Sequence, residues 1–146
     1  MAQTLIQSGP SLPAVVTLLT SAGLPISDLT HELLAHFFYS GSAAAPSGLV
    51  GLEFCGPHAL LRSLVVIPNC RSSGLGSALV DHAEAHARAA GAQSLFLLTT
   101  TAEAFFRRRG YVSAQRPSAP PEIRGTREFA DICPASSAFL VKRLVP

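Results

Sequence analysis

Apolar residues recur along this chain in two rhythms, one near 3.6 and one near 2, and the switches between them divide it into short elements. Residues 5–7 predict a brief first strand. Ser11, Leu12 and Pro13 then open a helix, with the serine as N-cap and the proline in the first turn, where its missing N–H is of no consequence. Leu12, Val15, Val16 and Leu19 give it an apolar stripe, and Gly23 followed by Pro25 ends it. Thr30 caps a second helix that carries Leu33, Leu34 and Phe37 at helical spacing. Small residues over 41–48 read as a turn-rich loop in the place of a hairpin turn.

Two β-branched, apolar runs at 49–54 and 59–67 flank Cys55-Gly56-Pro57-His58 and predict an antiparallel hairpin that Pro68 stops. The longest helix follows over 74–90, rich in alanine and closed by Gly91. A buried strand at 94–98, a short helix at 102–109 stopped by Gly110 and a strand at 111–114 come next. Pro117, Pro120, Pro121 and Pro134 interrupt regular structure, with a short helix over 123–131, and 138–144 supplies a terminal strand. The order is that of one α/β domain over residues 1–146, without internal repeats.

Composition narrows the partners. With 146 residues, 48% hydrophobic and 14% charged, the chain can bury a core of its own and does not resemble a disordered segment. A net charge of +2, with no basic run longer than Arg107-Arg108-Arg109, argues against a nucleic-acid surface. No apolar run approaches the roughly 20 residues of a membrane span, and no basic patch precedes an apolar leader, so the chain reads as cytoplasmic with no membrane partner. Cys55, Cys70 and Cys133 are odd in number and lack a CxxC pair. They read as free thiols, and no metal site is expected. Their convergence on a soft metal or metalloid is an alternative that spacing alone does not carry.

The chemistry concentrates where a strand runs through Pro68-Asn69-Cys70-Arg71-Ser72-Ser73-Gly74-Leu75-Gly76 into the longest helix. A helix start has unpaired N–H groups and the positive end of the dipole, which favours an anion by about 0.3–1 kcal/mol. Gly74 and Gly76 allow close approach, and Arg71 adds charge-assisted bonds to a diphosphate. A Walker loop requires Lys before Ser or Thr after the second glycine, and Gly76-Ser77-Ala78 has none. A dinucleotide fingerprint requires a small residue where Leu79 stands and an acid where Thr99 and Thr100 stand. What remains is Arg-x-x-Gly-x-Gly after an antiparallel strand.

In order and spacing, Ser63-Leu64-Val65-Val66-Ile67-Pro68, then residues 71–79, then Ala104-Phe105-Phe106-Arg107-Arg108-Arg109-Gly110-Tyr111 resemble the GNAT N-acetyltransferases. A narrower similarity lies in Ala59-Leu60-Leu61-Arg62-Ser63-Leu64, in Thr99-Thr100-Thr101 with Ala102-Glu103 and Phe105-Phe106, and in Glu128-Phe129-Ala130 with Cys133-Pro134-Ala135-Ser136. These resemble the arsenic-resistance N-acetyltransferase group, and Leu98-Thr99-Thr100 also resembles the acetyltransferase domain of N-acetylglutamate synthases. The resemblance implies the GNAT fold, a mixed, mostly antiparallel sheet of six to seven strands flanked by helices. It implies acetyl-CoA as cosubstrate and a small acidic, amino-acid-like amine as acceptor, an organoarsenical among them. An amino-acid N-acetyltransferase unrelated to arsenic is the alternative, followed by a non-catalytic CoA- or metalloid-binding regulator.

By the same resemblance the cosubstrate falls to Leu64, Val65, Val66, Arg71, Ser72, Ser73, Gly74, Leu75, Gly76 and Phe106. The family's strand corresponding to 60–66 bulges away from its neighbour, exposing N–H groups near Val65 and Val66 to the thioester. Phe106 stands where many members carry a proton-donating tyrosine, and Tyr111 is a weak substitute that more often belongs to a core. Glu53 is the expected base, or else a solvated strand-end carboxylate. Arg62 and Thr100 are the expected acceptor contacts, because a guanidinium within an apolar strand needs an anionic partner. The competing readings are an Arg62–Glu53 pair across the hairpin and a Thr100 helix cap. His58 is read as facing solvent, and residues 124–127 as a lid or a wet surface. Pairing through a terminal strand makes a homodimer a further expectation.

Overall fold

The hairpin foreseen around Gly56-Pro57 forms the middle of a seven-stranded sheet in the computed structural model, which describes residues 5–71, 73–127, 129–130 and 137–145. Ser72, Glu128 and residues 131–136, Cys133 included, lie outside the described residues. The elements are β1 (Ile6–Ser8), α1 (Leu12–Ser21), α2 (His31–Leu34), β2 (Phe37–Gly41), β3 (Pro46–Cys55) and β4 (His58–Val66). They continue with α3 (Leu75–Ala89), β5 (Ser94–Thr99), α4 (Glu103–Arg108), β6 (Val112–Ser113), α5 (Pro121–Arg124) and β7 (Ala138–Arg143). Strand order is β1-β2-β3-β4-β5-β7-β6. Every adjacent pair is antiparallel except β4 with β5, whose parallel pairing needs the long crossover that α3 supplies.

Ser11 and Thr30 cap α1 and α2 as expected, each hydroxyl accepting a backbone N–H three residues on. The second helix is shorter than its apolar spacing implied. It ends at Leu34, and Phe37 begins β2 instead of completing a helical stripe. The cause is burial on both faces: Phe37 packs with Leu49 and Val65, and Phe38 with Val50 and Leu52 on the other side. A strand buried twice shows no alternation, so its aromatic run passed for helix. The loop over 41–48 shrinks to 42–45 because β3 already starts at Pro46. The helix expected over 123–131 is split: α5 begins earlier and ends at Arg124, and helical backbone returns at Arg127, Phe129 and Ala130, with the Ala130 N–H bonded to Thr126 O at 3.0 Å.

Two layers cover the sheet. On one face Leu79, Val80, Ala83 and Ala87 of α3 pack with Val50, Leu52, Leu61 and Leu97. On the other, Val15, Leu18 and Leu19 of α1 meet Phe37 and Leu49, and Ile123 of α5 meets Leu60, Phe96 and Phe139. Gly51 pairs with Phe37 across β2 and β3, and a Cβ there would stand 2.4 Å from the ring. The glycine is thus the seat of that ring.

The segment between α1 and α2 is tied to the sheet by charge. Asp28 accepts from both terminal nitrogens of Arg62, Nη2 to Oδ1 at 2.8 Å and Nη1 to Oδ2. The Arg62 side chain has 0% of its surface exposed and Asp28 8%. Glu53 Oε1 accepts from the same Nη1 at 3.4 Å and is 25% exposed. The cross-hairpin pair is present, then, but Asp28 holds the better geometry. Burial pushes the Asp28 carboxyl up, while the hydrogen bond and charge of Arg62, with Arg127 further off, bring it net below its ordinary value of 3.8.

Two outcomes follow for stability. Gly51→Ala should cost about 1–3 kcal/mol by overpacking against Phe37, read as a lower urea midpoint; an unchanged midpoint would mean the ring is free to move. The unfolded chain protonates Asp28 at higher pH than the folded chain does. Its contribution is therefore complete above the ordinary value and is lost as pH falls through the lower folded value. Asp28→Asn should be less stable at neutral pH and lose less on going below about pH 4. Equal acid slopes in circular dichroism would contradict this.

Candidate active site

The functional cleft arises from one irregularity in β4. Leu49 pairs with Val65 but Gly51 pairs with Arg62, so Ser63 and Leu64 together oppose Val50. This is a bulge, and it places Ser63 at φ 60, the one non-glycine with positive φ among the described residues. The parallel ladder with β5 ends at Leu61 and Leu97, although β5 continues to Thr99. Beyond that point β4 and β5 diverge. The Ile67 N–H donates to Ser47 O on β3 at 2.9 Å. Because bonded pairs alternate along an antiparallel ladder, Val65 turns its N–H to β3 and Val66 turns its N–H to the open edge. Arg71 Nε confirms the side by donating to Val66 O at 3.1 Å. Of the two N–H groups expected at the cleft, Val66's is the available one.

Along this edge lies a groove of about 650 Å³ whose lining includes Val66, Arg71, Gly74, Gly76, Phe105 and Arg108. Gly74 is the N-cap of α3 at φ 88, a left-handed conformation that suits glycine. The Ala78 N–H makes the first return bond of the helix, to Gly74 O at 3.0 Å, which leaves Leu75, Gly76 and Ser77 with the helix's unpaired N–H groups. The Leu75 side chain is buried in the core, and Gly74, Gly76 and Ser77 line the groove around it. Ser73 donates its hydroxyl to Cys70 O and tightens the loop. Phe105 flanks Gly76, whereas Phe106 is buried and packs edge-on to Tyr111. The ring beside the glycine loop is therefore Phe105, and Arg108 adds a second cation; the sequence reading used neither. Both lie in the run Phe105-Phe106-Arg107-Arg108, where only helix phase decides which residue faces the groove.

A second cavity of about 340 Å³ opens between the diverging strands, with Arg62, Ser63, Thr100, Phe106 and Ser137 in its wall. Leu24, Leu64, Thr101 and Ala102 border both cavities. The helix cap expected of Thr100 is absent: Ala102 is the N-cap of α4 with no side-chain bond, and Thr99 Oγ1 accepts the Ala102 N–H at 3.0 Å in the turn before the helix. The Thr100 side chain is left to line the cavity. Ser137, unforeseen, is buried in the same wall, and its hydroxyl has no hydrogen-bond partner among the described residues. Glu53 stands behind Arg62, at the end of the Asp28–Arg62–Glu53 chain. Asp28 carried no signal in the sequence, since its partner lies 34 residues away.

Tyr111 is excluded as an acid by its surroundings. Its O–H donates to buried Glu84 Oε2 at 2.9 Å, while Lys142 Nζ holds the other carboxylate oxygen at 3.0 Å. Burial, then the Glu84 charge, push the phenol far above its ordinary range. Cys55 is likewise inert, its thiol pushed up to about 12 by burial and by the charge of Glu53 and Glu122.

These features agree with the comparisons. The model of the acetyltransferase (GNAT) family matches residues 26–111. The amino-acid acetyltransferase of Ralstonia nicotianae is 43% identical over 61 residues, which is 42% of this chain and 14% of the relative. That of Azotobacter vinelandii is 45% identical over 51 residues, 35% of this chain and 12% of the relative. The matched stretch is thus a small part of either relative's length. The N-acetylglutamate synthase from Neisseria gonorrhoeae complexed with coenzyme A and N-acetyl-glutamate superposes with a TM-score of 0.83 at 22% identity, over 100% of this chain and 36% of that one. Rv2747 from Mycobacterium tuberculosis, in complex with CoA and NLQ, gives 0.78 at 18% identity, over 97% and 99% of the two chains. The sheet order, the β4 bulge and a family match over more than half of the sequence lead to one assignment: this chain belongs to the GNAT acetyltransferase family, whose cosubstrate is acetyl-CoA.

Proposed function

We propose that the protein transfers the acetyl group of acetyl-CoA to the α-amine of a small amino acid. The observation that carries this reading is the meeting of two cavities at the β4 bulge, one beside an open helix N-terminus and one lined by hydroxyls, with the Arg62 guanidinium buried behind its wall. Relatives named for amino-acid acetylation support an ordinary amino acid over the organoarsenical acceptor expected from the narrower resemblance.

In this reading the N–H groups of Leu75, Gly76 and Ser77 receive the diphosphate, with Arg71 and Arg108 as counter-charges. The pantetheine arm runs past Phe105 along β4, and the Val66 N–H faces the thioester end, where oxyanion charge develops. The acceptor sits against Thr100, with its carboxylate directed to Arg62. The α-ammonium of a free amino acid, its charge favoured by the adjacent carboxylate, titrates above the value near 8 of a peptide terminus, so less than about a tenth is neutral at pH 7 and a base is needed. Glu53 takes the ammonium proton through water. The amine attacks the thioester carbonyl, the C–S bond breaks, and the thiolate takes a proton from solvent, since neither Phe106 nor Tyr111 can supply one.

Thiol release from acetyl-CoA over a panel of free amino acids tests the assignment. Turnover with at least one is expected, and tight CoA binding with no turnover would move the protein to a non-catalytic CoA-binding role. With an active acceptor, Glu53→Gln should lower kcat at neutral pH by about 10–100-fold and recover in part as pH rises, because the amine then deprotonates unaided. A pH-independent loss would remove Glu53 as base.

A further inference from the structure

Asp28 occupies the very group that an acidic acceptor needs. Its carboxylate fills the fork of Arg62 in the bidentate arrangement that a substrate carboxylate would adopt. It does so from a segment, 22–30, that also forms the wall of the pocket: Gly23, Leu24 and Pro25 line the acceptor cavity. Ala22 and Leu24 line the donor groove. The same segment is tied from outside, where Arg127 Nη1 donates to Ser27 O at 3.3 Å.

From this geometry we propose that Asp28 is a specificity-determining residue: it stands in for the acceptor's carboxylate on Arg62, and only an acceptor bearing a carboxylate can exchange with it and release segment 22–30. The proposal rests on the amino-acid reading above and adds how that site chooses its acceptor.

Exchange, not simple opening, follows from the burial of Arg62. A guanidinium with no exposed surface cannot lose its counter-ion without a large desolvation penalty, so one carboxylate leaves as another arrives. Glu53, already within 3.4 Å of the same Nη1, steadies the charge during the exchange. A neutral amine brings nothing to Arg62, leaves Asp28 in place and gains no ion pair at the cavity wall. A carboxylated amine replaces like with like at the fork, and its remaining contacts with Thr100 and Ser137 tip the balance. By competing for the same fork, the Asp28 carboxylate raises the apparent KM for the acceptor.

The test measures acetyl-CoA-dependent thiol release with free L-amino acids and with the same amino acids as α-carboxamides, on wild type and Asp28→Asn. For the free acids, Asp28→Asn should lower KM by about tenfold, because no protein carboxylate then competes for the fork, with KM rather than kcat carrying the change. For the carboxamides the preference should weaken because the wall no longer depends on exchange. A raised or unchanged KM for the free acids, in a variant that folds, overturns the proposal and makes Asp28 a structural counter-ion. If Asp28→Asn does not fold, hydrogen exchange on wild type decides. A saturating free acid should speed exchange at Leu29, whose N–H is held by Ile26 O, and slowed or unchanged exchange overturns the proposal. Wild type that acetylates no amino acid fails at the earlier step and removes the amino-acid reading together with the exchange built on it.

Discussion

One extra residue in β4 is the constraint on which this molecule depends. Ser63 and Leu64 share the place opposite Val50, and the strand beyond them can no longer follow β5. A serine held in the left-handed region costs about 1–3 kcal/mol and persists only where its surroundings over-determine it. They do: Leu60 and Leu61 before the bulge and Val65 after it are buried in three different clusters, so neither side can shift register without exposing a core face. The parting of the strands supplies an edge with a free N–H, a gap between two cavities and the place where Arg62 turns toward segment 22–30. An even ladder would have closed all three.

Charge in this protein is used sparingly and is buried in two separate networks, on opposite faces. Glu84, Tyr111 and Lys142 fasten α3 to β7 and to the start of β6, satisfying a carboxylate at both oxygens. Asp28, Arg62 and Glu53 fasten segment 22–30 to the sheet, with both carboxylates drawing on the same guanidinium. The first is saturated and removes Tyr111 from proton transfer. The second is unequal, with Asp28 in the fork and Glu53 at its margin, and that inequality leaves a carboxylate with a quarter of its side chain in contact with solvent.

Most of the architecture was legible because it rests on local signals. Ser11 and Thr30 caps, the Gly56-Pro57 turn, the alanine-rich α3 and its glycine stop each depend on a few consecutive residues. The Arg-x-x-Gly-x-Gly loop was legible for the same reason, since its chemistry is that of backbone at a helix start. Phe37 misled because double burial erases alternation. Thr99 rather than Thr100 ties the turn before α4, and Phe105 rather than Phe106 faces the groove, because a one-residue change of phase at the end of a strand or helix is invisible to composition. Arg62 was correctly marked as needing an anion. That Asp28 provides it depends on where a turn between two helices happens to fall in space, and no spacing rule reports that.

Leu24 has a consequence of a different order. It borders at once the groove and the cavity proposed for donor and acceptor, on the short segment anchored by Asp28. A substitution in this segment that adapts the protein to a new amine therefore alters the wall seen by the thioester as well. Descent toward a new acceptor through segment 22–30 is pleiotropic. The changes open to such a lineage without disturbing its donor lie instead on the far wall, at Thr100 and Ser137, which belong to the acceptor cavity alone.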